Sequence, residues 1–166
     1  LDLRQNSDVH ARTVGELLER AGRLPQNGYA TLEETARVNL LIEEISSPRP
    51  LYSPYLSYSE ESTGELAIFF ATRELRQRYG SASLPNAIIS KTDGVSDLLE
   101  VALLLKEAGL LRPRNAEGEP ELDLNIIPLF ETIADLRNSA EVMQQIFALP
   151  TYRKLVAARG NEHEVM

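Results

Sequence analysis

The chain has no cysteine, and only two histidines in 166 residues. Without thiols it can form no disulfide, no thiolate zinc site and no cysteine nucleophile within this segment. The absence also suits a reducing cytoplasm. His10 and His163 each lack a second histidine at ligand spacing, which argues against zinc. Long apolar runs are missing as well. Nothing approaches the roughly 20 residues of a membrane span, and no signal-peptide pattern opens the chain. The net charge is -8 and the basic residues are scattered, so neither nucleic acid nor an anionic membrane is expected as the main partner.

What is present is ordinary for a globular protein: 43% hydrophobic and 25% charged residues. The length is one domain's worth, enough to bury about 70% of the unfolded surface. Three S/T-x-x-E stretches have capping-box form: Thr13-x-x-Glu16, Thr31-x-x-Glu34 and Ser62-x-x-Glu65. The first two lead into apolar faces of helical period, Val14-Leu17-Leu18-Ala21 and Val38-Leu41-Ile42-Ile45. The third leads into Leu66 to Ala71 and a basic end, Arg73, Arg76 and Arg78, that complements the helix dipole before Gly80. From Ser96 to Ala108 the pattern is apolar nearly all round, which predicts a helix buried in a larger body or docked on a partner. Ser139 is the expected cap of a shorter helix through Leu149, with Pro150 marking the break.

The strand candidates are Leu1 to Arg4, Asn86 to Ser90 and Leu124 to Phe130. Helices separate them, so their sheet should be parallel with crossover connections. Pro128 cannot donate to a ladder and is expected at a bulge or a ragged strand end. Residues 47–58 and 112–123 read as irregular loops. The fold class is therefore mainly α with a few parallel strands.

Two residues stand at strand ends. Glu131 follows the apolar run Leu124 to Phe130, a place where parallel sheets hold ligands and metals. Read plainly, it is an acidic residue at the start of the next helix. Arg4 follows the first strand; its plain reading is a surface ion pair worth at most about 1 kcal/mol. Its other reading is a bidentate fork for phosphate or carboxylate oxygens.

Four ordered stretches resemble the phosphoenolpyruvate carboxylase family. Asp2-Leu3-Arg4-Gln5-Asn6-Ser7 with His10 resembles that family's D-[IL]-R-Q-x-S…H segment, and Glu44 to Leu51 its E-L-x-S-x-R-P-L. Ile89-Ser90-Lys91, Ser96-Asp97-Leu98-Leu99 and Leu103 to Gly109 resemble its I-S…S-D-[VL]-L…L-L-L-K-E-A-G run. Ile127 to Thr132, Asp135-Leu136 and Glu141-Val142-Met143 look like its metal-site segment. The family's T-A-H-P-T, G-Y-S-D-S and Gly/Arg-rich motifs do not occur, so residues 1–166 read as a single central segment of a larger catalytic barrel.

The resemblance implies a helix-rich (β/α) barrel, and a cytoplasmic, homotetrameric carbon-carbon lyase. That anaplerotic carboxylase feeds the tricarboxylic acid cycle by carbon dioxide fixation, converting phosphoenolpyruvate and bicarbonate to oxaloacetate and phosphate. It implies that Arg4 binds substrate and that Glu131 is one ligand of Mg²⁺ or Mn²⁺, with no catalytic base in this segment and no activity for the segment alone. It also places Glu44 and Arg49 in a region of subunit contacts, for which a surface pair is an equal explanation. His163 to Met166 could open an H-E-x-x-H string, but the family pattern continues with an aliphatic residue. His10 is expected to be a structural residue near Arg4; Ser90 and Lys91 receive no role. The alternative reading is a non-catalytic helical interaction module that docks a partner through the helix 96–108.

Overall fold

The computed structural model describes residues 2–166. Strand β1 (Leu3–Asn6) runs directly into helix α1 (Ser7–Arg20), and Asn6 is the joint. Its side-chain oxygen accepts from the Asp8 amide at 2.8 Å, satisfying one of the donors that a helix start leaves open. Helices α2 (Glu34–Ser46) and α3 (Glu60–Tyr79) follow, then β2 (Asn86–Ser90) and α4 (Val95–Glu107). A two-residue antiparallel ladder, β3 (Leu111–Arg112) with β4 (Glu121–Leu122), precedes β5 (Asn125–Pro128). Helices α5 (Ile133–Ala148) and α6 (Pro150–Ala157) complete the order.

The main sheet is parallel in the order β1-β2-β5, as the alternation of strands and helices requires. Arg4 is in register with Ile88 and Ile88 with Ile127, while Asn6 aligns with Ser90. Pro128 ends β5 opposite Ile89, a position where its missing N–H costs the ladder little. On the outer edge of β5, the Met166 amide donates to the Pro128 carbonyl and the Phe130 amide donates to the Met166 carbonyl. That is the slanted bonding of a parallel pair. The sheet is open among the described residues, and no helix there is long and apolar enough to cross a membrane.

The core forms around α4. Leu98, Leu99, Leu103, Leu104 and Leu105 are fully buried, each worth about 1.5–3 kcal/mol against exposure. The helix is walled by α1, α2, α3 and α5, with β2 and β5 beneath it. This corrects the expectation of an interaction module docking through residues 96–108. The chain buries that helix itself, so no free apolar face is left on it to meet a partner.

The helix starts differ from the sequence expectation, for one shared reason. Thr13 lies buried inside α1, Thr31 sits in a 3₁₀ turn ahead of α2, and Ser62 is already inside α3, whose cap is Ser59. Two of the three expected carboxylates cap other helices instead, while Glu65 faces His10. Glu16 accepts from both the amide and the hydroxyl of Ser59 at the start of α3, at 2.8 and 2.7 Å. Glu34 does the same for Ser96 at the start of α4, at 2.8 and 2.9 Å. Ser139 lies within α5, which starts seven residues earlier at a true capping box of Thr132 with Asp135. Pro150 does interrupt the helical run, but as the first residue of α6. The stretch at 112–123 is bracketed by the β3–β4 ladder, which Arg112 reinforces through Glu121 and Asp123. Residues 47–59 carry no helix or strand.

Candidate functional site

Side chains two residues apart on a strand emerge on one face. Arg4 pairs with Ile88, so Ser90 emerges on the same face as Arg4, one step nearer the carboxyl end. The Arg4 Nε donates to Ser90 Oγ at 2.8 Å, and Nη2 reaches Glu131 Oε1 at 3.1 Å. Glu131 lies just past the carboxyl end of β5, and its other oxygen, Oε2, accepts from the Lys91 amide at 2.8 Å. One guanidinium and one carboxylate thus tie together three strands at the end where parallel sheets present their ligand sites. The site is open: 58% of the Arg4 side chain and 40% of the Glu131 side chain are exposed.

The residue after β2 completes the arrangement. Lys91 has a positive φ of 62°, its carbonyl accepts from the Ser7 hydroxyl at 2.8 Å, and its ammonium pairs with Asp8. That pairing, foremost the hydrogen bond to Asp8, raises the lysine's pKa above its ordinary value. Ser90 and Lys91, which the sequence left without a role, are therefore the direct neighbours of the two predicted residues.

The same sheet face carries a second polar chain at its other end, which sequence reasoning missed. Asn86 donates to Asp2 at 2.9 Å, Asn125 donates to Asn86 at 2.9 Å, and Arg159 donates to Asn125 at 2.8 Å. Its sequence signal is the alternation of Asn86, Ile88 and Ser90, which puts two polar side chains on one face of β2.

Other residues singled out earlier lie elsewhere. His10 is buried against α3, with Nε2 3.2 Å from Glu65 Oε1 but without the alignment of a hydrogen bond. Its nearest charged partner is Glu65. His163 packs near α6, its Nε2 2.8 Å from the Tyr152 hydroxyl, and burial lowers its pKa. Glu44 is buried and sits between Arg23 and Arg49 of its own chain, so Glu44 and Arg49 do pair, with Arg23 as the closer partner.

As a cation site, this edge supplies the Glu131 carboxylate, while that of Asp8 is taken by the Lys91 ammonium. Among the described residues no group of three or more histidine, cysteine, aspartate or glutamate side chains could enclose a metal. A hard cation such as Mg²⁺ takes one or two carboxylates and fills its remaining positions with water and substrate oxygens. A half-exposed Glu131 fits one such ligand.

The family model for phosphoenolpyruvate carboxylase matches residues 1–166. The chain is 60% identical to a phosphoenolpyruvate carboxylase of Aromatoleum aromaticum and covers 18% of that protein. It is 56% identical to one from an Azoarcus species and 55% identical to one from Azorhizobium caulinodans, covering 17% of each. All three alignments take in the whole chain, which thus spans less than a fifth of the length of these curated relatives. With the family model matched over residues 1–166 and relatives aligned along the whole chain, the chain belongs to the phosphoenolpyruvate carboxylase family.

Proposed function

We propose that these residues form a segment of a longer enzyme that makes oxaloacetate from phosphoenolpyruvate and bicarbonate, and that the segment's share of the active site is Arg4 and Glu131. The observation that carries this reading is their meeting at 3.1 Å across 127 residues of sequence, at the carboxyl ends of parallel strands. In the reaction bicarbonate attacks the phosphorus, the bond to the enol oxygen breaks, and carboxyphosphate and pyruvate enolate result. Carboxyphosphate then releases carbon dioxide and inorganic phosphate, and the enolate carbon takes up the carbon dioxide.

Arg4 would hold phosphate or carboxylate oxygens with its planar fork, a role its exposure and its anchoring by Ser90 favour. Glu131 would be one ligand of Mg²⁺ or Mn²⁺, which when bound supplies Lewis-acid stabilisation of developing negative charge. The second carboxylate, the base and the gating loop belong to other parts of such an enzyme. In this reading the whole protein is a cytoplasmic homotetramer, and the segment alone is inactive.

The test is an oxaloacetate-forming assay of the full-length protein carrying this segment, with and without divalent metal. Metal-dependent oxaloacetate formation that Glu131→Ala abolishes is the expected result. Activity indifferent to both metal and Glu131 would overturn the proposal.

A further inference from the structure

Lys91 occupies a backbone region that suits it poorly. Among the described residues, three other than glycine have positive φ, and the remaining two are Asn27 and Asn161. Asparagine visits the left-handed region readily because its short amide bonds locally, whereas lysine has no such compensation. A residue held in this region persists only when its surroundings over-determine it, and such residues cluster at functional sites.

The surroundings here do over-determine it. The Ser7 hydroxyl, buried at the start of α1, donates to the Lys91 carbonyl at 2.8 Å. The next residue is pinned twice: the Thr92 amide donates to the Leu129 carbonyl at 3.1 Å, and the Thr92 hydroxyl donates to the Ile89 carbonyl at 2.9 Å. The Lys91 ammonium is held by Asp8. What the left-handed turn leaves pointing at the site is a single group, the Lys91 amide, 2.8 Å from Glu131 Oε2.

We propose that Lys91 is a positioning residue whose left-handed backbone, locked by Ser7, fixes the Glu131 carboxylate for cation binding. It acts through its amide, not its ammonium. The proposal rests on the reading of Glu131 as a metal ligand. With Oε2 engaged by the amide and Oε1 by Arg4, two hydrogen bonds set the orientation of the carboxylate. Each oxygen keeps a further lone pair for a cation on the open side of the sheet edge. Outer partners of this kind orient a ligand, and losing one typically weakens metal affinity roughly ten- to a hundredfold.

Backbone and charge roles predict opposite mutant patterns. Lys91→Asn keeps the amide and favours the left-handed turn but removes the ammonium. Lys91→Val keeps the amide and disfavours the turn, because its branched side chain is a poor fit at positive φ. Mn²⁺ affinity of the full-length protein, titrated by electron paramagnetic resonance in the absence of substrate, reads the difference. Lys91→Asn should stay within about twofold of wild type, while Lys91→Val and Ser7→Ala should each weaken binding roughly tenfold or more. In a Glu131→Ala background, neither Lys91→Val nor Ser7→Ala should cause further loss.

Equal weakening by Lys91→Asn and Lys91→Val would overturn the backbone assignment in favour of the ammonium. Wild-type affinity in folded Lys91→Val and Ser7→Ala, or full additivity with Glu131→Ala, would overturn the positioning role and leave Glu131 as a ligand. If Glu131→Ala itself binds Mn²⁺ as wild type does, both this inference and the metal-ligand reading fall.

Discussion

The phenol of Tyr29 donates to Glu100 Oε1 at 2.7 Å, joining the 3₁₀ turn before α2 to the middle of α4 inside the core. Both side chains are buried, and the other Glu100 oxygen has no hydrogen-bond partner. Burial pushes the Glu100 carboxyl up to about 8, against the pull of the Tyr29 hydrogen bond. Asp97, one turn earlier, is pushed up to about 6, again chiefly by burial, although the Asp93 and Gly94 amides draw it down. Of the two, Glu100 is raised past neutrality.

A pH dependence follows, with a definite sign. The folded Glu100 holds a proton that the unfolded chain, near the ordinary 4.5, has already released. Its stabilising effect is complete below that value and is lost as pH rises through about 8. The loss should be on the order of a few kcal/mol at most. Thermal unfolding midpoints should fall from pH 6 to pH 9, and Glu100→Gln should flatten much of that slope while keeping an acceptor for Tyr29. An unchanged slope in Glu100→Gln would place the titration elsewhere.

For Glu131, removing the carboxylate in the full-length protein leaves a cation short of one anionic ligand. A loss of about 3 kcal/mol of transition-state stabilisation lowers turnover more than a hundredfold. Glu131→Gln should be nearly as poor as Glu131→Ala, since it keeps the shape and loses the charge. Steady-state kinetics at ordinary metal concentration distinguishes this from a merely structural Glu131, which Gln would rescue.

Arg4→Lys keeps a positive charge but not the fork that reaches Ser90 and Glu131 together. It should raise KM for phosphoenolpyruvate with unchanged helical content by circular dichroism. Wild-type kinetics for Arg4→Ala would remove Arg4 from the substrate site.

The 166-residue chain alone should bind neither Mn²⁺ nor phosphoenolpyruvate at micromolar concentration. Charge-assisted hydrogen bonds from Arg4 offer about 1.5–3 kcal/mol, while even millimolar affinity needs about 4 kcal/mol net. Calorimetry with each ligand checks this; a micromolar dissociation constant for either would contradict it.

Much of this fold is legible in the sequence, because hydrophobic period and strand spacing are local. The β2 bounds Asn86–Ser90 coincide with the expected strand, and the parallel order follows from the helices in between. The caps were not legible. Glu16 and Glu34 look like partners of the hydroxyls three residues before them, yet tertiary packing sends them to Ser59 and Ser96. A capping box and a carboxylate that caps another helix share one local sequence. Family motifs singled out Arg4 and Glu131 separately, but their ion pair was not legible, because it joins residues 127 apart in sequence. Lys91 received no role because nothing local in Ser90-Lys91-Thr92 announces a left-handed residue.

The burial of α4 has a consequence for the order in which the chain is made. Most of its walls, the helices α1, α2 and α3 and the strand β2, are translated before it, while β5 and α5 come later. Proteins fold in units as they leave the ribosome. A nascent chain that has just released Glu107 therefore already holds most of the partners of its central leucines. The sheet edge gains Glu131 only afterwards, when β5 docks on β2. The scaffold thus has the means to close before the site it carries is complete.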